Sequence, residues 1–255
     1  MQNAQPALLR DLIERVARAD RRAFDTLYEA TSARLNALCL SILKDRRAAE
    51  EALEQVYIRI WAEAPRFPDS TLSPMAWLTV LARATALAHR AGPAPDAAPR
   101  GPEPAWQEGS DPTILLRMVW LEGLSYADLA RHTALPRAEV RHLVHEGLER
   151  LAGHAADDAD SFAAAEQALD LGQGDAPPSP QRAEWQERLA RLADDLTPVM
   201  APARARQRIR ESLGHGAAPL SVDPLEQRPW WRGPLGIALA LLLVGAVAWW
   251  GVWGR

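Results

Sequence analysis

The sequence predicts an all-α protein, and three observations predict it. Apolar residues recur at i, i+3, i+4 and i+7, and no alternating strand pattern persists anywhere in the 255 residues. Proline- and glycine-rich stretches fall between the periodic segments rather than inside them. Near the C-terminus an uncharged apolar run, "GPLGIALALLLVGAVAWWGVW" at 233–253, is long enough for one transmembrane helix.

The elements follow in order. Leu8, Leu9, Leu12, Ile13 and Val16 form a first helical stripe. Phe24, Leu27 and Tyr28 open a second helix, and Leu35, Leu38, Cys39, Ile42 and Leu43 form a third. Ala49, Ala52, Leu53, Val56, Tyr57, Ile60 and Trp61 form a fourth, ended by Pro65, Pro68 and Pro74. Ser73-Pro74 fits an N-cap with proline at the first helical position, so a helix is expected from 75 to about 90. "AGPAPDAAPRGPEP" at 91–104 reads as an extended linker. Helices resume near Asp111-Pro112 and run to about Leu151. Here Ser125 fits an N-cap with Asp128 as its capping partner, and Pro136 starts the second helix of a helix-turn-helix. After a loop at 171–181, helices are expected at about 181–196 and 203–213. The organisation is thus 1–90 as a helical bundle, 91–112 as linker, 113–154 as a helix-turn-helix, 155–232 as a third helical segment with a juxtamembrane approach, and 233–253 as the span.

As a helix, 233–253 would measure roughly 31 Å at ~1.5 Å per residue, about one hydrocarbon core. Trp230 and Trp231 flank one end and Trp249, Trp250 and Trp253 the other, as interfacial belts do. It lies too late for a signal peptide. Arg228 and Arg232 precede it and only Gly254 and Arg255 follow. The positive-inside tendency therefore puts the N-terminal body in the cytoplasm, on a single-pass C-terminal anchor.

Charge and composition exclude several function classes. The net charge is −4. Residues 1–90 hold 13 basic and 11 acidic side chains, and residues 113–154 hold 5 of each. No segment is a strongly basic patch, so tight autonomous DNA binding is not expected. The one cysteine, Cys39, sits in an apolar helical pattern and excludes an internal disulfide framework. No Cys/His cluster has zinc-site spacing. His142 and His145 are three apart but lack further ligands, so no metal and no cofactor are expected. There is no phosphate-binding glycine loop and no nucleophile-base arrangement, which argues against an enzyme.

Separated motifs carry a resemblance. "AFDTLYEATSARLNALCLSILKDRRAAEEALEQVYIRIWAEAPRF" resembles region two of extracytoplasmic-function (ECF) sigma factors: the AF..LY opening, the aspartate before the acidic helix, the AEE..L.QV..R.W helix and the trailing RF. "SPMAWLTVLARATALAHRA" resembles the helix that follows. "GLSYADLARHTALPRAEVRHLVHEGLERL" resembles region four. The segment "EWQERLARLADDLTPVMAPARARQRIRESLG" is similar to membrane-anchored, zinc-free anti-sigma factors of the anti-sigma-K type, with Trp185, Leu189, Leu192, Leu196, Pro198, Val199, Pro202, Ile209 and Leu213 matching.

What the resemblance implies is concrete. Asp45, Glu50, Glu51, Glu54 and Gln55 would lie on the face that binds core RNA polymerase, an acidic helix meeting a basic partner. Thr79, Arg83 and Arg90 would face promoter DNA at the minus-ten element. Arg137, Glu139, Arg141, His142 and His145 would occupy the reading positions of the helix-turn-helix. The sequence departs from the family in two places. "ARATALAHRA" lacks the usual Asn-Arg-Ala and Asp-x-x-Arg run, and Glu139, Leu143 and Glu146 stand where threonine and basic residues are common. The expected partners are core RNA polymerase, promoter DNA, the chain's own anti-sigma-like segment or a separate anti-sigma factor, and the lipid bilayer. The "RARQRIR" run at 204–210 would touch anionic lipid or DNA, or remain a solvated helix face. The expected function is a membrane-tethered sigma factor restrained in cis. The alternative is a membrane-anchored regulatory protein, an anti-sigma or decoy sigma, that sequesters a transcription factor without promoter recognition.

Overall fold

The computed structural model describes residues 4–90, 111–153, 159–169 and 179–214. All its regular elements are helices: α1 (Ala4–Ala17), α2 (Arg21–Leu43), α3 (Arg46–Glu63), α4 (Pro74–Arg90), α5 (Thr113–Glu122), α6 (Tyr126–Thr133), α7 (Arg137–Ala152), α8 (Ala159–Leu169), α9 (Pro180–Ala190) and α10 (Ala203–Ser212). Short 3-10 turns follow α3 and α9. Residues Met1–Leu213 form one unit, so the bundle, the helix-turn-helix and α8 to α10 share it. Gly214–Arg255 form a second unit, of which only Gly214 is described.

Local chemistry sets the helix ends. Asp20 caps α2 by accepting from the backbone N–H groups of Arg22 and Ala23, and Lys44 ends it in the left-handed region at φ 55°. Asp45 caps α3 by accepting from Ala48 N–H at 2.8 Å. Ser125 and Asp128 form the reciprocal capping box expected of α6. Ala134 takes φ 56° in the turn, a conformation that glycine adopts without strain. Ser179 and Pro180 start α9.

Two expectations need correction. The second and third predicted helices are one continuous helix, α2, of 23 residues. No proline or glycine separates them, and the polar Thr31 does not break the helix. Its hydroxyl donates to Leu27 O at 2.7 Å and meets the Tyr57 hydroxyl at 2.7 Å, so a buried polar side chain is satisfied in place. The helix expected over 181–196 stops at Ala190 and tightens into a 3-10 turn over Arg191–Asp195. Thr197 precedes Pro198, and a residue before proline disfavours the helical region. Helix α8 was not foreseen. It buries Ala164, Ala165, Ala168 and Leu169.

The core of α1 to α4 is apolar and aromatic. Phe24 meets Tyr57 and Trp61 edge-on, with centroids 5.9 and 5.4 Å apart. Leu27, Leu35, Leu38, Leu53, Ile60 and Leu78 are fully buried around them. Helix α7 approaches α5 through Gly147, where an added Cβ would lie 2.9 Å from Pro112 O and 3.2 Å from Leu116 Cβ. Cys39 lies inside the bundle, and burial pushes its thiol up to about 12. Cys39 is therefore expected to stay unmodified by a thiol reagent in the folded protein and to react fully in denaturant. Mass measurement checks this, and rapid labelling of the native chain would contradict the packing.

Among the described residues, no helix is long and apolar enough to cross a membrane. The span expected at 233–253 and the linker at 91–104 lie outside the described residues.

Candidate functional site

The acidic face of the bundle is built by α2 and α3. Asp25 and Glu29 sit one turn apart on α2, and Glu50 and Glu54 one turn apart on α3. Helix α10 lies on this face. Arg204 holds the Glu50 carboxylate with Nε at 2.6 and 2.7 Å, and Arg208 Nη2 reaches the same group at 2.6 Å. Arg208 Nε also lies 3.4 Å from Glu54, whose carboxylate accepts from Ser212 Oγ at 3.1 Å. On the other side of α10, Arg210 grips Asp25 with two hydrogen bonds of 3.0 and 2.6 Å, and Arg206 reaches Glu29 at 2.7 Å. Ala205 and Ile209 are buried between the two rows of arginines. The Glu50 side chain is only 2% exposed, so its charge is tolerable because two guanidinium groups meet it.

The hydrogen bond from Arg204 outweighs the cost of burial and holds the Glu50 carboxyl below its ordinary value of 4.5. A depressed carboxylate contributes stability above its unfolded value and loses it as pH falls through the folded one. The contribution of Glu50 to docking is therefore expected to be constant from neutral pH down to its ordinary value of 4.5 and to weaken only on further acidification. A spin-label distance between α2 and α10, followed against pH, checks this. Loss of docking as pH rises would contradict it.

A strap leads into α10. The backbone N–H of Val199 donates to Ala33 O at 3.0 Å, and Asn36 Nδ2 donates to the carbonyls of Val199 and Met200 at 3.1 and 3.3 Å. Upstream, Glu187 of α9 receives the backbone N–H and the hydroxyl of Ser73 at 2.9 and 2.8 Å. A carboxylate thus sits at the start of α4, where the unpaired N–H groups of a helix favour negative charge.

The structure places the predicted polymerase-facing residues as follows. Glu50 and Glu54 are engaged by α10. Glu51 pairs with Arg47 at 3.1 Å and approaches His89 at 3.6 Å. Asp45 is the α3 cap, and Gln55 is exposed. Asp25 and Glu29 belong to the same face and were not singled out in the sequence. They lie on a different helix, and their spacing alone is that of any solvated face.

The three residues expected on the minus-ten side are turned inward in this conformation. Thr79 is buried and donates to Met75 O at 2.8 Å. Arg83 is 2% exposed, stacks over the Trp120 ring at 4.1 Å, and donates to Trp120 O at 2.7 Å, Val119 O at 3.1 Å and Leu169 O at 3.4 Å. Arg90 donates to Glu122 O at 3.0 Å and to Gly123 O. Arg83 and Arg90 share a partner, the C-terminal turn of α5. The last carbonyls of a helix have no intrahelical donor and carry its negative pole. Here Arg83 takes two of them, Ser41 Oγ takes Leu121 O, and Arg90 takes the next. Gly123 closes the turn at φ 64°, with an imagined Cβ only 2.6 Å from Leu87 Cδ2. Lys44 adds an ion pair to Glu122 at 2.7 Å. The bundle thus caps the helix-turn-helix unit through cationic side chains.

On α7, Arg137, Glu139 and His142 are exposed. Arg141 and His145 are not free. Both meet Glu166 of α8, Arg141 at 3.0 and 2.6 Å and His145 Nε2 at 3.0 Å, and the His145 ring stacks on Phe162 with centroids 5.3 Å apart. Burial raises the Glu166 carboxyl, but the hydrogen bonds from Arg141 and His145 prevail and leave it below its ordinary value. Among the described residues no cluster of His, Cys, Asp and Glu is arranged to hold a metal.

Comparison with known proteins bears on the bundle. The family model "Sigma-70 region 2" matches residues 27–92. The ECF RNA polymerase sigma factor SigK of Mycobacterium bovis (strain BCG / Pasteur 1173P2) is 33% identical over 76 residues, 30% of this chain and 41% of that protein. SigK of Mycobacterium ulcerans (strain Agy99) is 32% identical over 79 residues, 31% of this chain and 42% of that protein. SigK of Mycobacterium sp. (strain KMS) is 34% identical over 76 residues, 30% of this chain and 39% of that protein. The chain spans about two fifths of the length of the curated relatives it matches. No solved structure matches. The match therefore falls on the helices that present Glu29, Glu50 and Glu54 and the inward-turned arginines, a stretch similar to sigma-70 region 2 and to part of the ECF RNA polymerase sigma factors named above.

Proposed function

We propose that this chain is a bacterial ECF-type RNA polymerase sigma factor, tethered to the inner membrane through 233–253 and restrained in cis by its anti-sigma-like segment, within 155–232. One observation carries the reading: α10 places four arginines on the acidic face of α2 and α3. That face includes Glu50 and Glu54, which the sigma resemblance assigns to core RNA polymerase. Helix α8 acts in the same sense on α7 by engaging Arg141 and His145. The region-four-like and anti-sigma-like assignments rest on motifs in the sequence.

In this reading the closed chain cannot offer its acidic face to a basic partner until α10 leaves. A covalent connection supplies α10 at an effective concentration of about millimolar, so a modest interface keeps the face covered. Once α10 and α8 are displaced, α3 would dock on the polymerase. Separation of α5 from α4 would then free Arg83 and Arg90 to turn toward the minus-ten DNA, and α7 toward the upstream promoter. The polymerase would then supply affinity that the neutral α7 lacks. The alternative, a decoy that binds without promoter recognition, is favoured by Arg83 and Arg90 serving as caps for α5.

The test uses the full chain. Arg204→Glu with Arg208→Glu is expected to raise affinity for core RNA polymerase at least roughly tenfold, the equivalent of about 1.4 kcal/mol. Unchanged affinity would remove the cis-restraint reading. Tight polymerase binding with no transcription from any promoter would select the decoy.

A further inference from the structure

Helix α10 has a second counter-surface within reach. It carries Arg204, Arg206, Arg208 and Arg210 within seven residues, and α2 and α3 engage all four. These side chains are 72%, 32%, 42% and 36% exposed, so each keeps an edge open to solvent while docked. Only Ala205 and Ile209 are buried from this helix. The uncharged run at 233–253 begins 20 residues after α10 ends. Twenty residues span at most roughly 66–72 Å. If 233–253 is a membrane span, as proposed above, α10 is a juxtamembrane basic helix that can reach the headgroup layer.

We propose that α10 binds the anionic phospholipid surface of the inner leaflet, and that this surface competes with the acidic face of α2 and α3 for the same four arginines. An ion pair open to solvent shifts an equilibrium by about onefold to fivefold. A basic side chain near an anionic bilayer contributes about fivefold. The two resting places of α10 draw on the same four arginines, and the local content of anionic lipid shifts the balance between them. The released state uncovers Glu50 and Glu54 without proteolysis. The apolar contribution to lipid binding is small, because Ile209 is the one large apolar side chain buried from α10, so the response is electrostatic and weakens with salt.

The experiment places the full chain in nanodiscs of phosphatidylcholine, or of phosphatidylcholine mixed with phosphatidylglycerol, and measures a spin-label distance between α2 and α10. Phosphatidylglycerol is expected to raise the released-to-docked ratio roughly tenfold, and high salt to reverse the gain. Glu50→Gln with Glu54→Gln should release α10 at a lower phosphatidylglycerol content. Arg206→Gln with Arg210→Gln should flatten the lipid response.

Equal distances in the two discs would overturn the proposal, as would a chain that does not enter the discs. Release by duplex DNA or free glycerol phosphate in phosphatidylcholine discs, without a response to phosphatidylglycerol, would overturn it too and assign the arginines to another anion. A separate arm measures core RNA polymerase binding. Lipid-driven release with no gain in polymerase affinity would refute the cis restraint and leave the lipid site standing.

Discussion

Arg83→Ala is expected to lower the stability of the closed unit by about 3–5 kcal/mol. The side chain is fully buried, and its hydrogen bonds end on Val119 O, Trp120 O and Leu169 O. Alanine would leave these buried acceptors without their cationic donor and would open a void beside the Trp120 ring. It would also remove positive charge from the C-terminal pole of α5. Because the three carbonyls belong to α5 and α8 while Arg83 belongs to α4, the loss should loosen all three segments together. Denaturant unfolding and amide exchange of α5 and α8 check this. Arg83→Lys should recover only part of the loss, because a point charge cannot serve carbonyls in the directions a guanidinium fork does. A cost of less than about 1 kcal/mol would show that the carbonyls find other donors.

Arg204→Glu with Arg208→Glu should detach α10 while leaving α1 to α4 folded. The substitutions turn attraction to Glu50 and Glu54 into repulsion at a carboxylate that is 2% exposed when docked. Glu50 regains water once α10 leaves, so the bundle itself loses little. Amide exchange is expected to become fast in α10 and in the strap over Ala33 and Asn36, and to stay slow in α2 and α3. Protection of α10 unchanged from the native chain would mean that Ala205 and Ile209, rather than the arginines, hold it in place.

The difference between what the sequence shows and what it hides follows from range. The capping box of Ser125 and Asp128 is visible because the two residues lie three apart, whereas the Asp45 cap was not singled out as one. The bundle and the helix-turn-helix are legible for the same reason: their signals are local periodicity and local caps. Helix α2 was read as two helices because the polar Thr31 and Ser32 interrupt the apolar stripe, and its partner Tyr57 lies on another helix. Helix α8 escaped notice because alanine supplies most of its buried face and gives a weak pattern.

The candidate site was half visible. The acidic stripe of α3 was expected to face core RNA polymerase, and the basic partner present in the chain sits more than 150 residues downstream. The spacing of Arg204, Arg206, Arg208 and Arg210 shows two rows on a helix but not the carboxylates they meet. Arg83 and Arg90 were assigned to DNA because the sigma resemblance implies that their helix meets the minus-ten element. Only the fold brings the open end of α5 to them.

The central claim is that α10 and core RNA polymerase compete for one acidic face. The most direct measurement is amide exchange of α10 in the full chain as core RNA polymerase is titrated in. Competition predicts that α10 loses protection in proportion to the complex formed, while α3 gains it over Glu50 to Glu54. A saturated complex in which α10 stays as protected as in the free chain would contradict it.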